Sequence, residues 1–332
     1  MSSTVTCALR ASSNPLPAKT GGPHDADDSS PRHGARRLAT ADPIFFDQSP
    51  ISVLDRAGIR LGQVMGTTRL PALELAQWGG GDDEVFDPRR NPDPFKDALL
   101  GSAQYAQVLP SQRFAVYPDH MGTRVYELAV TSQTLEPRTR RELSLSHSLP
   151  SDALRAVSAR TVVAARIRIP ELMASGFAMS AGAARALITL LFRCCDASLV
   201  QRDLFVRIVL ADTLTGHRRN PDLNGACDTG SEASVRGAGV FSIPYRTQHG
   251  ADPLEQAQSR LIPVCVSAWD MLERAVGIPY RWFDTSGHPR ETTYPPQAHD
   301  PARWALTAAS VGVESTGQAR VAVQLADLVI QP

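Results

Sequence analysis

A recurring alternation of apolar and polar residues is the feature of this sequence that most constrains its fold. Residues 124–134, 142–149 and 161–169 place apolar side chains at every second position, and this period of two predicts half-buried β-strands. Four further segments are also predicted as strands, namely residues 204–211, 239–245, 304–313 and 320–330.

Two segments between these strands have apolar residues at helical spacing instead. The first predicted helix begins after Ser180, a residue type that caps helices, and its apolar positions are Ala184, Leu187, Ile188, Leu191 and Cys195. The second predicted helix begins at Asp252, is broken or kinked by Pro263 and continues to Gly277. The order from residue 161 is thus strand, helix, strand, strand, helix, strand, with one extra strand. This order predicts an α+β fold with a ferredoxin-like, split βαβ core.

The composition of the chain changes twice before this core begins. Residues 1–43 are rich in Ser, Pro, Gly, Asp and Arg, and we expect a disordered N-terminal tail because such a segment cannot bury enough apolar surface. Residues 44–111 predict an extended, loop-rich arm with one short helix near residues 97–106. The α+β core then spans residues 112–332 and carries a long polar hairpin at residues 212–236.

The charge balance excludes several classes of protein. The 34 basic residues equal the 34 acidic ones in number, whereas a dedicated binder of DNA or membrane surfaces normally carries a basic excess. The five cysteines form no dense disulfide pattern, which favours a reducing compartment. No apolar segment is long enough to span a bilayer. We therefore expect a soluble protein that is intracellular or lies within an assembled particle, with no membrane partner.

The best enzyme signal in the sequence is Ala178–Gly182, a variant of the nucleophile elbow centred on Ser180. The residues before it make a poor strand, so a helix-capping role for Ser180 is the preferred interpretation and a serine hydrolase is kept as an alternative. The acids and histidines that follow in the order of a triad are Asp212, Asp270, Asp284, His249, His288 and His299.

The remaining polar clusters predict neither a metal nor a cofactor. His217, Cys227 and His249, with Cys194 or Cys195, offer zinc-ligand chemistry but lack the spacing of a zinc site. No phosphate-binding or dinucleotide motif occurs. Among the possible acid–base groups are His147 and the pair Asp119–His120, but His147 continues an apolar strand face and is interpreted as a buried core residue.

With no convincing catalytic motif, the sequence favours a non-enzymatic structural or assembly subunit of a larger particle, such as a viral or phage coat or cement protein. Its expected partners are copies of itself or other subunits, because arms and open strand edges are completed by neighbouring chains. The alternatives are an RNA-binding ferredoxin-like subunit of a ribonucleoprotein and the serine hydrolase. The residues predicted to contact RNA or another subunit are Arg166, Arg168, His217, Arg218, Arg219, Arg236 and Arg246.

Overall fold

The protein is built mostly from β-strands, as its computed structural model shows. The structure describes residues 44–45, 51–55, 59–64, 73–79, 86–89, 105–118, 124–133, 140–149, 157–174, 182–196, 203–213, 226–227, 238–245, 257–277, 280–283, 289–292, 294 and 296–331.

The strands of the described residues are numbered in chain order. They are β1 (Ile44–Phe45), β2 (Ile51–Leu54), β3 (Arg60–Val64), β4 (Leu73–Trp78), β5 (Tyr105–Val108), β6 (Gln112–Pro118), β7 (Arg124–Gln133), β8 (Arg140–Ser148), β9 (Val162–Ala174), β10 (Gly182–Cys194), β11 (Asp203–Asp212), β12 (Ala226–Cys227), β13 (Ala238–Pro244), β14 (Ile262–Ser267), β15 (Tyr280–Phe283), β16 (Pro289–Thr292) and β17 (Trp304–Gln331).

The long strand β17 belongs to two sheets at once. Its C-terminal half lies in sheet A, whose order is β5-β6-β7-β17-β9-β14, with β1 pairing the end of β17. Its N-terminal half lies in sheet B, whose order is β12-β13-β11-β10-β17-β8-β4-β2-β3. All of these neighbours are antiparallel except β11 with β13 and β2 with β4, which are parallel. A separate hairpin is formed by β15 and β16.

The two sheets share one hydrophobic core. Each contributes the side chains of alternate strand positions, as expected for strands with one buried face. A direct contact between the sheets is the hydrogen bond that Gln112 Nε2 of β6 donates to Gln77 Oε1 of β4. Members of the shared core, all at most 1% exposed, include Phe114, Leu128, Val163, Ile167, Val321, Val323, Leu143, Leu145, Ile188, Leu190, Val206, Ile208, Val311 and Val313.

The ferredoxin-like α+β prediction is wrong, because the segment predicted as its first helix is strand β10. Ala184, Ile188 and Phe192 do lie buried on one side, but Ala186 and Leu190 are buried on that side with them. Leu187 and Leu191 occupy the opposite face. This strand is central in sheet B, and its outer face carries Leu187 and Leu191 together with Arg185 and Thr189. Its apolar residues therefore match a helical stripe as well as a strand.

The second predicted helix is correct only in its last part. Pro263 and Val264 lie in β14, which pairs with β9, and helix α1 begins afterwards, at Ala268–Val276. Ser267 caps it, because its side-chain oxygen accepts a hydrogen bond from the Asp270 backbone N–H. The predicted end at Gly277 is confirmed.

The strand predictions fared better than the helix predictions. Residues 124–134, 142–149, 161–169, 204–211 and 239–245 correspond to β7, β8, β9, β11 and β13. The two last predicted strands are one strand, β17, because the residues between them continue the ladder instead of turning.

Several other predictions fall on residues that the structure does not describe. These include the tail at residues 1–43 and most of the polar hairpin at 212–236, of which β12 is described. In the segment 44–111, strands β2 and β4 belong to sheet B, and the division of the chain at residues 43 and 111 stays a prediction. Of the described helices, none has the length and apolar character needed to cross a membrane.

A tight corner joins the sheets where β17 passes from one to the other. Gly317 has φ 59° and pairs with Gly182, which has φ 136°. A Cβ atom on Gly182 would lie 2.6 Å from the Thr316 backbone oxygen and 2.8 Å from the Gln318 backbone nitrogen. Both positions therefore need the conformational freedom of glycine.

We expect Gly182→Ala to lower the free energy of unfolding by about 1–3 kcal/mol, because it adds a strained φ and a backbone clash. Urea denaturation measures the change. The control is Gly277→Ala, where φ is −80° and the nearest atom lies 3.6 Å from the added Cβ. An equal loss in the two variants would contradict the proposed strain.

A buried histidine makes the stability depend on pH. His147 of β8 is 5% exposed, and burial lowers the pKa of its imidazole from 6.5 to about 4. Between pH 6.5 and about pH 4 the imidazole is therefore protonated in the unfolded chain but neutral in the folded protein. The contribution of His147 to stability is fully present above the pKa that its imidazole has in the unfolded chain. The free energy of unfolding falls by about 3 kcal/mol in total as the pH drops through this window.

We expect His147→Met to remove most of this slope between about pH 6.5 and pH 4. The free energy of unfolding from urea titrations at several pH values tests it. His299→Gln, which removes an exposed imidazole, serves as the control and should keep the wild-type slope. An unchanged slope in the His147 variant would show that another group is responsible.

Candidate active site

Two glutamates face each other on the outer surface of sheet B. Glu142 of β8 and Glu314 of β17 are direct register partners, so both side chains point to the same side of the sheet. Their neighbours leave little of them in contact with solvent, since the side chains are 12% and 7% exposed. The fold thus places two carboxyl groups side by side in a sheltered position.

Three arginines from three strands surround this pair. Arg140 Nη2 lies 2.5 Å from Glu142 Oε2 and 3.1 Å from Glu314 Oε2, so one guanidinium nitrogen contacts both carboxylates. Arg207 of β11 lies 3.5 Å from each of the same two oxygens. Arg185 of β10 binds Asp212 at 2.9 Å and lies 3.8 Å from Glu314. We call these six residues the Glu142–Glu314 cluster.

The environment of Glu314 favours its protonated form. Burial raises the pKa of the Glu314 carboxyl above its usual value, and the negative charge of Glu142 raises it further. Arg140, Arg207 and Arg185 act in the opposite direction and lower the pKa, but burial is the largest effect. A buried carboxyl beside a second one is an arrangement that suits acid–base chemistry.

Small side chains continue the outer face next to the two glutamates. Ser144 of β8 pairs with Gly312 of β17, and Ser146 pairs with Ser310. A Cβ atom on Gly312 would lie 3.1 Å from the Ser144 Cβ, so this part of the face has no room for larger residues. On the other side of β8, Trp78 of β4 is the register partner of Glu142. The small residues Ser144, Gly312 and Ser310 thus run from the cluster along the sheet.

The described residues offer no comparable site elsewhere. They contain no group of three or more histidine, cysteine, aspartate or glutamate side chains placed to hold a metal ion. A cavity of about 10 Å³ between the sheets is apolar and has room for about one water molecule. Its lining includes Ile167, Leu210 and Tyr245.

Two of the residues predicted to contact RNA or another subunit are used inside the fold. Arg166 of β9 forms an ion pair with Asp327, which lies at a bulge of β17 with φ 51°. Arg168 donates a hydrogen bond to the Gln258 backbone oxygen at 3.1 Å and lies 3.5 Å from Gln324 Oε1. Both arginines belong to sheet A, whereas the Glu142–Glu314 cluster lies on sheet B.

Other predicted candidates are either outside the described residues or separated from one another. Cys194 is buried and Cys195 is exposed, while His147 belongs to the core, as interpreted from the sequence. Asp212 belongs to the cluster, although its partner is Arg185 and not a histidine. Outside the described residues lie Asp119, His120, Ser180, His217, Arg218, Arg219, Arg236, Arg246, His249, Asp284 and His288.

Sequence reasoning missed both glutamates. Glu142 begins a predicted strand, and its place on the polar face of that strand was the only local signal. Glu314 lies in the gap between the two strands predicted at residues 304–313 and 320–330. Their proximity depends on the register between β8 and β17, which no local pattern encodes.

No protein-family model and no curated protein sequence matches the chain. Solved structures do match. The family 11 xylanase from Neocallimastix patriciarum is 11% identical, with a TM-score of 0.34, over 69% of this chain and 93% of the xylanase. A cellulase derived from that of Rhodothermus marinus is 10% identical, with a TM-score of 0.36, over 66% of this chain and 91% of the cellulase. The family 12 xyloglucanase from Bacillus licheniformis is 10% identical, with a TM-score of 0.35, over 67% and 87%.

These matches are named as glycoside hydrolases, and by this finding the predicted non-enzymatic structural or assembly subunit and the predicted RNA-binding subunit are wrong. The prediction rested on the lack of a convincing catalytic motif in the sequence. The serine hydrolase loses its basis as well, because a nucleophile elbow needs a helix after the serine and β10 follows Ser180. At these identities and TM-scores the matches assign no substrate or catalytic residue to this chain.

We expect Arg140→Gln to destabilise the protein by about 3 kcal/mol near neutral pH, because it removes the cation that contacts both glutamates most closely. Its loss raises the pKa of Glu314 further above the unfolded value, so the penalty grows as the pH rises and shrinks toward about pH 5. Urea denaturation near neutral pH and at about pH 5 measures the loss in the free energy of unfolding.

Arg193→Gln is the matched control for this experiment. Arg193 also lies on sheet B and pairs with Asp203 at 2.7 Å, but its side chain is 56% exposed. Its removal should cost at most about 1 kcal/mol. The explanation fails if Arg140→Gln is destabilised equally at both pH values.

Proposed function

We propose that this protein is a glycoside hydrolase that cleaves polysaccharides with the Glu142–Glu314 pair. The observation that carries the proposal is the placement of two sheltered carboxyl groups directly opposite each other on an outer sheet face. Hydrolysis of a glycosidic bond needs two such groups, one to give a proton to the leaving oxygen and one to act at the anomeric carbon.

The two environments support different roles for the two residues. Glu314 suits the general acid, because burial favours its protonated form. Glu142 accepts the shortest contact from Arg140, at 2.5 Å, and suits the ionised partner. In the first step the Glu314 proton passes to the glycosidic oxygen, the Glu142 oxygen bonds to the anomeric carbon, and the bond to the leaving sugar breaks.

The closeness of the pair favours retention of anomeric configuration. Oxygens of both residues contact the same nitrogen, at 2.5 and 3.1 Å, so they are at most about 5.6 Å apart, which leaves no room for the water of an inverting enzyme. In the second step water gives a proton to Glu314 and its oxygen to the anomeric carbon, and the bond to Glu142 breaks.

Small residues and one indole ring lie beside the glutamates on the outer face. Ser310 and Trp78 are half-buried on this face, whereas Ser144 is 5% exposed, and Trp78 lies next to Glu142. An indole ring provides a flat apolar surface together with a polar edge.

We expect the full-length protein to release reducing ends from a soluble polysaccharide. Glu314→Gln and Glu142→Gln should each lower the initial rate by at least about 100-fold, since each removes a group that exchanges a proton or a bond with the substrate. The rates are measured across a panel of neutral and acidic polysaccharides, and proton NMR of the first product tests for retention.

Glu127→Gln is the matched control. Glu127 is 5% exposed and binds Arg113 at 2.7 Å on sheet A, so its substitution disturbs a comparable ion pair away from the proposed site. It should keep the rate within about threefold while costing similar stability. If the wild-type protein releases no reducing ends from any member of the panel, the proposed function is wrong.

A further inference from the structure

Arg185 lies between two carboxyl groups in one row of sheet B. Its register partner on β17 is Glu314, and its register partner on β11 is Asp212. Arg185 Nε donates a hydrogen bond to Asp212 Oδ2 at 2.9 Å, whereas Arg185 Nη1 lies 3.8 Å from Glu314 Oε1. The second distance exceeds the upper limit of an N–H···O hydrogen bond, which is about 3.2 Å. The guanidinium is thus hydrogen-bonded to Asp212 and stands back from the proposed general acid.

A β-bulge places Asp212 on the face where this contact forms. The register between β10 and β11 shifts between Ala186 and Leu187, and Leu210 is the extra residue on β11. Without this extra residue, the alternation of the strand would place Asp212 on the core side of the sheet. Bulges beside active sites commonly redirect a side chain in this way. The bulge therefore turns the Asp212 carboxylate toward Arg185 on the outer face.

The backbone beside this pair is fixed by hydrogen bonds between the two strands. The Thr213 N–H donates to the Ala184 backbone oxygen at 3.0 Å, and the Ala184 N–H donates to Thr213 Oγ1 at 2.9 Å. These residues are the chain neighbours of Asp212 and Arg185. The Asp212 side chain is also only 5% exposed. A sheltered carboxylate on a fixed backbone can hold its partner in one geometry.

We infer that Asp212 is a positioning residue for Glu314, because its bond to the Arg185 guanidinium keeps this cation out of hydrogen-bond distance of the Glu314 carboxyl. The inference rests on the proposed function and adds a residue to its site. Asp212 acts on the general acid through Arg185.

The position of Arg185 matters because Glu314 must hold a proton before the first chemical step. Among the described residues, the charged groups that face Glu314 are Arg140 and Glu142 from β8, Arg185 from β10 and Arg207 from β11. Burial raises the pKa of the Glu314 carboxyl, and the three arginines lower it. A cation lowers the pKa of a carboxyl more strongly as it comes closer. Asp212 therefore favours the protonated form of Glu314 by limiting the approach of Arg185.

The test replaces Asp212 by an uncharged residue of the same size. In Asp212→Asn the guanidinium loses its charged partner, and a movement of about 1 Å brings it to hydrogen-bond distance of Glu314. We expect the pKa of the Glu314 carboxyl to fall by about 1. Carbon-13 NMR titration of the glutamate carboxyls in the full-length protein measures this pKa without any substrate, and Glu314→Gln identifies the signal.

The pH profile of polysaccharide hydrolysis provides a second readout. The rate falls at high pH where the general acid loses its proton, so the alkaline limb should move to a pH lower by about 1 in Asp212→Asn. On that limb kcat/KM should be about tenfold below the wild-type value. A merely structural role of Asp212 would change the height of the profile and leave the position of the limb unchanged.

Asp203→Asn is the matched control. Asp203 binds Arg193 at 2.7 Å across the same two strands, at their other end. Its substitution removes a similar ion pair from the same strand pair and should leave the pKa of Glu314 and the alkaline limb unchanged.

A double variant separates action through Arg185 from a direct effect of the Asp212 charge. Arg185→Gln removes the cation and should raise the pKa of Glu314. Asp212→Asn combined with Arg185→Gln should give the same Glu314 pKa as Arg185→Gln alone, because the route from Asp212 to Glu314 is gone. This comparison also tests the inference if Asp212→Asn alone does not fold.

The outcomes distinguish this inference from the function on which it rests. An unchanged Glu314 pKa in Asp212→Asn overturns the inference. A Glu314 pKa that is lower in the double variant than in Arg185→Gln also overturns it, since the Asp212 charge would then act directly. If the wild-type protein hydrolyses no polysaccharide, the proposed function is wrong, whereas a lowered Glu314 pKa in Asp212→Asn still supports the link between these residues.

Discussion

The pairing of one continuous strand with two sheets is the constraint on which the rest of this structure depends. Residues 308–316 of β17 lie between β8 and β10, residues 319–325 lie between β7 and β9, and β1 pairs with Val329 and Ile330 near the end of the strand. Because the strand has neighbours on both sides along most of its length, few of its backbone groups lack partners. Its bend at Gly317 lets the two halves cover one core, which explains why glycine is required at this corner.

The same strand determines where charge can collect. Its alternation places Val311 and Val313 in the core and leaves Glu314 on the outer face, opposite Glu142 of β8. Like charges directly opposite each other destabilise a strand pair, so the arrangement needs cations within reach. Arg140 and Arg207 provide them from neighbouring strands. The catalytic proposal and the stability of sheet B thus involve the same few contacts.

Local patterns in the sequence predicted the strands that have one clearly polar face, such as β7, β8 and β9. They failed for β10, whose outer face mixes Leu187 and Leu191 with Arg185, and for the middle of β17, which falls between the two strands predicted at residues 304–313 and 320–330. Local sequence patterns could not predict the candidate site for a different reason. Glu142 and Glu314 meet only through the register of strands that are far apart in the chain, and a shift of one residue would place them on opposite faces.

A comparison of the two outer faces explains why we assign the chemistry to sheet B. Sheet A also carries an ion network, in which Glu127 binds Arg113 at 2.7 Å and accepts a hydrogen bond from Gln324 at 2.7 Å. There a single carboxylate faces an amide, and a lone acid cannot supply both an acid and a nucleophile. On sheet B the residue opposite the carboxylate is a second carboxylate.

The chain contains 32 arginines and two lysines, and a guanidinium, unlike an ammonium, can contact two carboxylates in one plane. Arginine thereby allows two glutamates to remain adjacent in a sheltered position.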